Sequence, residues 1–333
     1  MKHIFIYNPM AGKDNRAAIA ALQEKIKTDY PELDVEFYPT KAAKDATAYV
    51  RERCEADPDT KMRFYACGGD GTANEVLHGI VGFANASMTC YPCGSGNDYV
   101  KYYGGAARFL NIEKLLFAEE KEVDIMRVGD RYSLNVANFG FDTVVAKTMT
   151  EVRHKKIIGG KHAYTTGIVK ALFTAMKNEC IVTVDGEKLN DGKILLCTVS
   201  NGRYVGGAFC CAPHSQNDDG LLEVCLVKPI SRFTFIKLIG VYSEGKHIDD
   251  PRFKNIISYR RGKSVRVEAP EGFAYTLDGE IVQENNFTIE ICPRAIRFAV
   301  PALDSKECGC KEAMAEGAPE KATESATKEA AVV

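Results

Sequence analysis

For its first 125 residues the chain repeats one pattern: a short apolar run, a turn of small residues, then an amphipathic stretch. Residues 2–7, 33–38, 62–67 and 88–92 read as strands. Residues 14–29, 42–56 and 72–83 read as helices, the first with Ile19, Leu22 and Ile26 on one side. Alternation of this kind implies right-handed crossovers and a mostly parallel sheet. From about Val123 the texture changes. Strand-like segments dominate, at 123–128, 132–138, 181–184, 194–200, 221–227, 264–269, 273–277 and 287–292, with helical patterns only at 163–177 and 233–242. The expected fold is thus an α/β domain over 1–124 followed by a mainly antiparallel β-sandwich or barrel-like domain over 125–292. A last strand candidate, 295–300, ends at Pro301, and the Ala-, Glu-, Lys-, Thr- and Ser-rich segment 304–333 reads as a disordered tail.

Composition excludes several classes. The 43 basic and 45 acidic residues give a net charge of −2, and residues 304–333 hold seven acids and four bases, leaving the body near +1. A nucleic-acid protein would be expected to be strongly basic. No run approaches the roughly 20 apolar residues that span a bilayer, and the N-terminus is too short in apolar residues for a signal peptide. A cytoplasmic protein is expected, at most touching a membrane from its inner face. The 12 cysteines mostly lie in apolar strand-like runs, where a reduced thiol acts as a small hydrophobe. Cys90 and Cys93, and Cys308 and Cys310, have pair spacing, but a zinc site wants four ligands.

Three turns at strand ends carry the chemistry. In Gly68-Gly69-Asp70-Gly71-Thr72 the glycines let backbone N–H groups approach a ligand that Cβ atoms would block. Thr72 or Asp70 stands where a helix N-cap belongs, and the helix N-terminus favours an anion such as phosphate. Asn8-Pro9-Met10-Ala11-Gly12-Lys13 and Tyr91-Pro92-Cys93-Gly94-Ser95-Gly96-Asn97-Asp98 are further turns at the same ends. Ligands of open parallel sheets bind there. Neither a dinucleotide fingerprint nor a Walker loop is present.

This ordered set, with Asn74 and Glu75 after the second turn, resembles the diacylglycerol kinase catalytic-domain family, which includes soluble bacterial lipid kinases and the sphingosine and ceramide kinases. The likeness covers roughly residues 1–303. It implies a nucleotide-binding α/β domain and a β-sandwich domain with ATP in the cleft between them, and a final segment, 293–303, that returns to the first domain. It also implies that Asn8, Pro9, Gly12, Lys13, Thr40, Gly68, Gly69, Asp70, Gly71, Thr72, Asn74 and Ser95 hold ATP. Ser95 stands where the family has threonine and keeps the hydroxyl; Thr40, read from its residues alone, caps the helix after it.

Phosphoryl transfer needs a group to take the acceptor's proton. Asp278-Gly279-Glu280 reads by itself as a hairpin turn. The resemblance makes Glu280 the proton acceptor and Asp278 its partner, with the roles exchangeable, and joins Asp70 to them through Mg²⁺ or water. It also puts a structural Mg²⁺ on Gln216, Asp219 and Leu221, in an oxygen-rich turn that suits a hard cation. The implied activity is transfer of the γ-phosphate of ATP to a lipid hydroxyl, with diacylglycerol the first expectation and phosphatidic acid the product. An NAD kinase-like enzyme and a non-catalytic nucleotide or lipid sensor are the alternatives. The basic runs at 153–156, at Lys161-His162 and at Arg260-Arg261-Gly262-Lys263 are either membrane contacts or solvated loops. Ile168, Val169, Leu172 and Phe173 read as core in preference to an acyl pocket. Oligomeric state does not follow, though a homodimer is compatible.

Overall fold

In the computed structural model, β1 (Lys2–Tyr7) lies between β2 (Asp34–Pro39) and β3 (Met62–Gly68), parallel to both. The structure describes residues 1–9, 15–94, 96–152, 162–207 and 209–303. Gly12, Lys13, Ser95, the basic run 153–156, Lys161, Cys308, Cys310 and the 304–333 tail lie outside them. Helices α1 (Asn15–Asp29), α2 (Asp45–Ala56) and α3 (Asp70–Ile80) link the strands, and β4 (Ala86–Pro92) adds parallel to β3. With helices packed on the sheet, β3 is buried at every position and is apolar except for Arg63, whose guanidinium pairs with Glu120 at 3.1 Å.

Two caps differ from expectation. Thr40 does not cap α2: its N-cap is Lys44 at φ 66°, and Glu75 accepts from the Lys44 and Ala46 amides at 3.0 and 3.3 Å. The Thr40 amide donates instead to the Tyr7 carbonyl at 2.8 Å. Helix α3 begins at Asp70 with Gly69 as its N-cap, so neither Asp70 nor Thr72 fills that position.

Short helices α4 (Asp98–Lys101), α5 (Ala106–Phe109) and α6 (Ile112–Leu116) lead to β5 (Glu119–Val128), β6 (Arg131–Ser133) and β7 (Val136–Gly140). Then come α7 (Phe141–Val152), α8 (Ala163–Thr174), β8 (Asn178–Glu179), β9 (Ile181–Val184), β10 (Glu187–Lys188), β11 (Lys193–Ile194) and β12 (Leu196–Ser200). β13 (Tyr204–Val205), β14 (Phe209–Cys210), β15 (Leu222–Val227), α9 (Arg232–Ser243) and β16 (Ile257–Gly262) follow. The last strands are β17 (Ser264–Glu268), β18 (Ala274–Leu277), β19 (Glu280–Gln283) and β20 (Asn286–Val300).

One sheet runs through both halves of the chain, in the order β10-β9-β17-β20-β4-β3-β1-β2, with β5 on β20 and β6 on β5. Its continuity depends on β20, whose 15 residues join segments read from sequence as two strands. β20 pairs antiparallel with β17 and β5, and parallel with β4 through Phe298 and Met88. A bulge lies between Cys292 and Ile296, where Pro293 lacks an N–H and Arg294 adopts φ 48°. The fully buried Asp124 fixes it by accepting from the Arg294 amide at 2.7 Å.

The second sheet, β16-β15-β12-β7-β18-β19, is antiparallel throughout. Its inner face packs through Phe139, Val199, Val224 and Tyr275 on the first sheet's antiparallel portion, where Phe287 of β20 meets the Phe139 and Tyr275 rings. Its outer face carries α7, α8 and α9. With both faces covered, β7, β12 and β15 are buried at every position.

Candidate active site

The glycine turns meet. The β3–α3 turn takes two amides from the β4 turn, Cys93 and Gly94 donating to the Gly68 carbonyl at 2.9 and 3.2 Å. A Cβ on Gly94 would lie 2.4 Å from the Gly69 Cα, and one on Gly96 2.6 Å from Asp70 Oδ2. Glycine is needed there because two backbones pack where side chains cannot fit. Asp70 Oδ1 accepts from the Asp98 amide at 2.8 Å, and Asn97, at φ 50°, holds the turn by donating to the Gly94 carbonyl. Burial and the Asp98 carboxylate raise the Asp70 pKa to about 6. Asp98 reaches across to the second half of the chain: Lys101 donates to it at 2.5 Å, and the Gly207 amide at 3.0 Å.

The distant acidic turn comes to this place. Asp278, at φ 48°, is the hub of five hydrogen bonds. Oδ1 accepts from Ser133 Oγ at 2.6 Å and from the Asn135 and Val136 amides at 3.1 and 3.0 Å. Oδ2 accepts from the Leu134 amide at 2.9 Å and from Asn74 Nδ2 at 3.3 Å. Asn74 belongs to α3, one turn past the glycines, so this bond ties the cradle to the β18–β19 hairpin across 204 residues of sequence. Asn74 also donates to the Tyr132 carbonyl at 3.0 Å, and His78 accepts from the Tyr132 amide at 3.0 Å. Burial pushes the Asp278 carboxyl above its ordinary range, opposed by these donors. Glu280, in contrast, is exposed, and among the described residues nothing pairs with its carboxylate.

Asp70, Asp98, Asp278 and Gly279 line one end of a cavity of about 550 Å³. Its other wall is apolar, built from Phe141, Val145 and Met149 of α7, Ile168 of α8, and Phe235 and Ile239 of α9. The core reading of α8 holds for Ile168 and Leu172, which pack half-buried against the core beneath the outer helices, and fails for Phe173, which is exposed. The buried face of α8 is Ala163, Gly167 and Ala171, small residues that bring the helix onto α7; a Cβ on Gly167 would sit 2.9 Å from the Val145 carbonyl oxygen. The larger Ile168, Val169 and Leu172 are half-buried and Phe173 is exposed.

Residues 2–128 match the diacylglycerol kinase catalytic domain, and residues 135–300 match the YegS C-terminal NAD kinase beta sandwich-like domain. The chain belongs to the diacylglycerol kinase catalytic-domain family. Its relatives include the "Diacylglycerol kinase" of Bacillus subtilis (strain 168), 28% identical over 83% of this chain and 88% of that one. Another is a "Probable lipid kinase YegS-like" protein of Pseudomonas aeruginosa, 28% identical over 90% of this chain and 94% of its own. A crystal structure of a diacylglycerol kinase from Bacillus anthracis str. Sterne superposes with a TM-score of 0.63 at 22% identity, covering 90% of this chain and 96% of that one. The fold expected from the sequence, a mostly parallel α/β domain with an antiparallel sandwich-like domain, is the fold of this kinase family.

Sequence reasoning did not single out two acids that line the cavity. Asp98 was legible only as the last residue of a turn, and Asp142 sits on a helix, α7, that the pattern did not announce. The 216–221 turn also differs from a ready cation site. Asp219 accepts from the Leu221 amide at 3.0 Å, and its other oxygen is paired with the Arg261 guanidinium. A magnesium ion at Gln216, Asp219 and Leu221 would have to displace that cation, so the residues in this arrangement do not fit one. The same pairing takes Arg261 out of the basic run 260–263. Among the described residues no three His, Cys, Asp or Glu side chains cluster as a protein-only metal site. Magnesium held with substrate phosphates needs only one or two carboxylates, and Asp70 fits: it is buried beside Asp98 and has no ion-pair partner among the described residues.

Proposed function

We propose that the chain is an ATP- and Mg²⁺-dependent lipid kinase that transfers the γ-phosphate to a lipid hydroxyl, with diacylglycerol as acceptor and phosphatidic acid as product. One observation carries the reading: the Asn74–Asp278 hydrogen bond joins the glycine cradle to the acidic hairpin, and Asp70 and Ala73 of the first and Asp278 and Gly279 of the second line one cavity with a largely apolar wall. Polyphosphate is assigned to the amides of Gly68, Gly69, Gly71 and Thr72 at the N-terminus of α3, where the helix dipole favours an anion. Asn8, Pro9 and Thr40, at the neighbouring strand ends, are assigned to the same nucleotide, and so, from the sequence motifs, are Gly12, Lys13 and Ser95.

Magnesium, when bound, aligns the phosphate oxygens and offsets their charge; Asp70 is the carboxylate assigned to hold it, with Asp98 beside it. Glu280 takes the proton of the lipid hydroxyl as that oxygen bonds to the γ-phosphorus, and ADP leaves with the electron pair of the broken P–O bond. Its unpaired carboxylate supports this role. Asp278, with donors on both oxygens, orients the turn.

No helix among the described residues is long and apolar enough to cross a membrane. We assign lipid access to the outer face of α8 and α9, where Phe173, Phe233 and Ile236 are 67%, 78% and 49% exposed. Arg232 joins the two helices, its guanidinium 5.5 Å from the Phe173 ring centre. The segment 224–243 carries Lys228, Arg232 and Lys237 and no acid, which suits an anionic leaflet. The test is γ-labelled ATP presented with extracted lipids and, separately, with NAD. Label in an organic-soluble product is expected; label in NADP, or none in either, would contradict the reading.

A further inference from the structure

Asp142, the second residue of α7, lines the cavity together with the residues of its acidic end and its apolar wall. Among the described residues its carboxyl makes no hydrogen bond and no ion pair, although it lines a cavity walled by Phe141, Val145 and Ile168. The titratable groups that face it are Tyr164 from α8, Tyr242 from α9, Cys211 just after β14 and Cys225 from β15, all uncharged at neutral pH. No lysine, arginine or histidine is among them, and the other charged groups of the cavity are three more carboxylates, Asp70, Asp98 and Asp278. Asp142 is half-buried, and an apolar lining without a cation disfavours its charged form relative to water.

We propose that Asp142 acts as a neutral carboxylic acid that donates a hydrogen bond to an ester carbonyl oxygen of the bound acylglycerol, holding the lipid with its free hydroxyl toward Glu280. The inference rests on the lipid-kinase reading and deepens it. Apart from its reacting hydroxyl, a diacylglycerol offers this cavity only acceptors, so its recognition calls for donors. An ionised Asp142 would repel an ester oxygen; a protonated one pairs with it. Burial alone raises the Asp142 pKa to about 6, which keeps the neutral form within reach. A carboxylic acid kept neutral by an apolar site to serve as a donor has precedent in enzyme chemistry. The Tyr242 hydroxyl, buried beside Thr198 without a well-formed hydrogen bond and lining the same cavity, offers a second donor.

The test uses the full chain, wild type and as Asp142→Asn and Asp142→Leu, with 1,2-dioctanoylglycerol in mixed micelles, KM and kcat being followed from about pH 5.5 to 8.5. For the wild type, lipid KM should rise by up to about tenfold per pH unit above about 6, since only the protonated form donates. Asp142→Asn, whose amide donates at every pH, should keep a low KM and lose the pH dependence. Asp142→Leu should raise KM about tenfold or more at pH 6 with kcat nearly kept. The nearly isosteric Asn variant decides the matter if the Leu variant does not fold. A flat wild-type KM, a KM that falls as pH rises, or an Asn variant as impaired as Leu would overturn the proposal. The second of those outcomes would mark an acceptor whose backbone donates, through a hydroxyl or an ammonium group. Absence of any lipid turnover by the wild type would instead overturn the lipid-kinase reading, and this inference with it.

Discussion

At the scale of single residues, two acids two positions apart are given opposite conditions by the fold. Asp278 is locked by donors from Asn74, Ser133, Leu134, Asn135 and Val136, whereas Glu280 is exposed and unpaired. From sequence the pair is a turn dipeptide with a glutamate after it, and nothing local distinguishes their roles. The difference arises from contacts with residues more than 140 positions away, which local patterns do not record. Removing the hub leaves several donors without an acceptor, and such groups each cost about 1–3 kcal/mol when buried. Asp278→Ala should therefore lower unfolding stability by on the order of 3 kcal/mol in urea titrations, with added strain because φ is positive. An unchanged midpoint would mean that the hub does not bind the two halves together.

At the scale of elements, the parallel strands and their helices were legible because each buries a continuous apolar run or one face. Helix α7 was not. Its sequence, Phe141-Asp-Thr-Val-Val-Ala-Lys-Thr-Met-Thr-Glu-Val152, is rich in β-branched residues that favour strands. What makes it helical is packing: Gly167 and the alanines of α8 let that helix close onto it, a contact that propensity cannot express. Helix α9 was legible in place but not in meaning, since it is apolar on both sides, with Phe235, Ile239 and Tyr242 inward and Phe233 and Ile236 outward. The two glycine turns belong to this scale too, because they work as a pair. Gly94→Ala puts a Cβ against the Gly69 backbone. It should weaken ATP binding at least tenfold by calorimetry while Gly240→Ala, on α9 with open space at its Cβ, changes it little. Equal effects at the two positions would show that the close approach does not matter.

At the scale of the molecule, the resemblance implied that 293–303 returns to the first domain, but that this segment continues the strand 286–292, so that one sheet runs through both halves, was hidden. Pro293 interrupts the strand pattern, and the bulge that carries the strand past it depends on Asp124, 170 positions away. That continuity positions the outer helices of the second half around the same cavity that Asp70 and Asp278 line. If their exposed face is the route for lipid, Phe233→Ser should reduce co-sedimentation with anionic vesicles severalfold and leave phosphorylation of a short-chain, micelle-dispersed acceptor intact; equal loss of both would refute a docking role. The central claim, that a phosphate cradle and an acidic turn serve one phosphoryl transfer, is tested most directly at Glu280. Turnover of labelled ATP on diacylglycerol and equilibrium ATP binding are measured for the wild type and Glu280→Ala. The account predicts a loss of turnover of about 10²-fold or more with ATP affinity unchanged; near-normal turnover in the variant would contradict it.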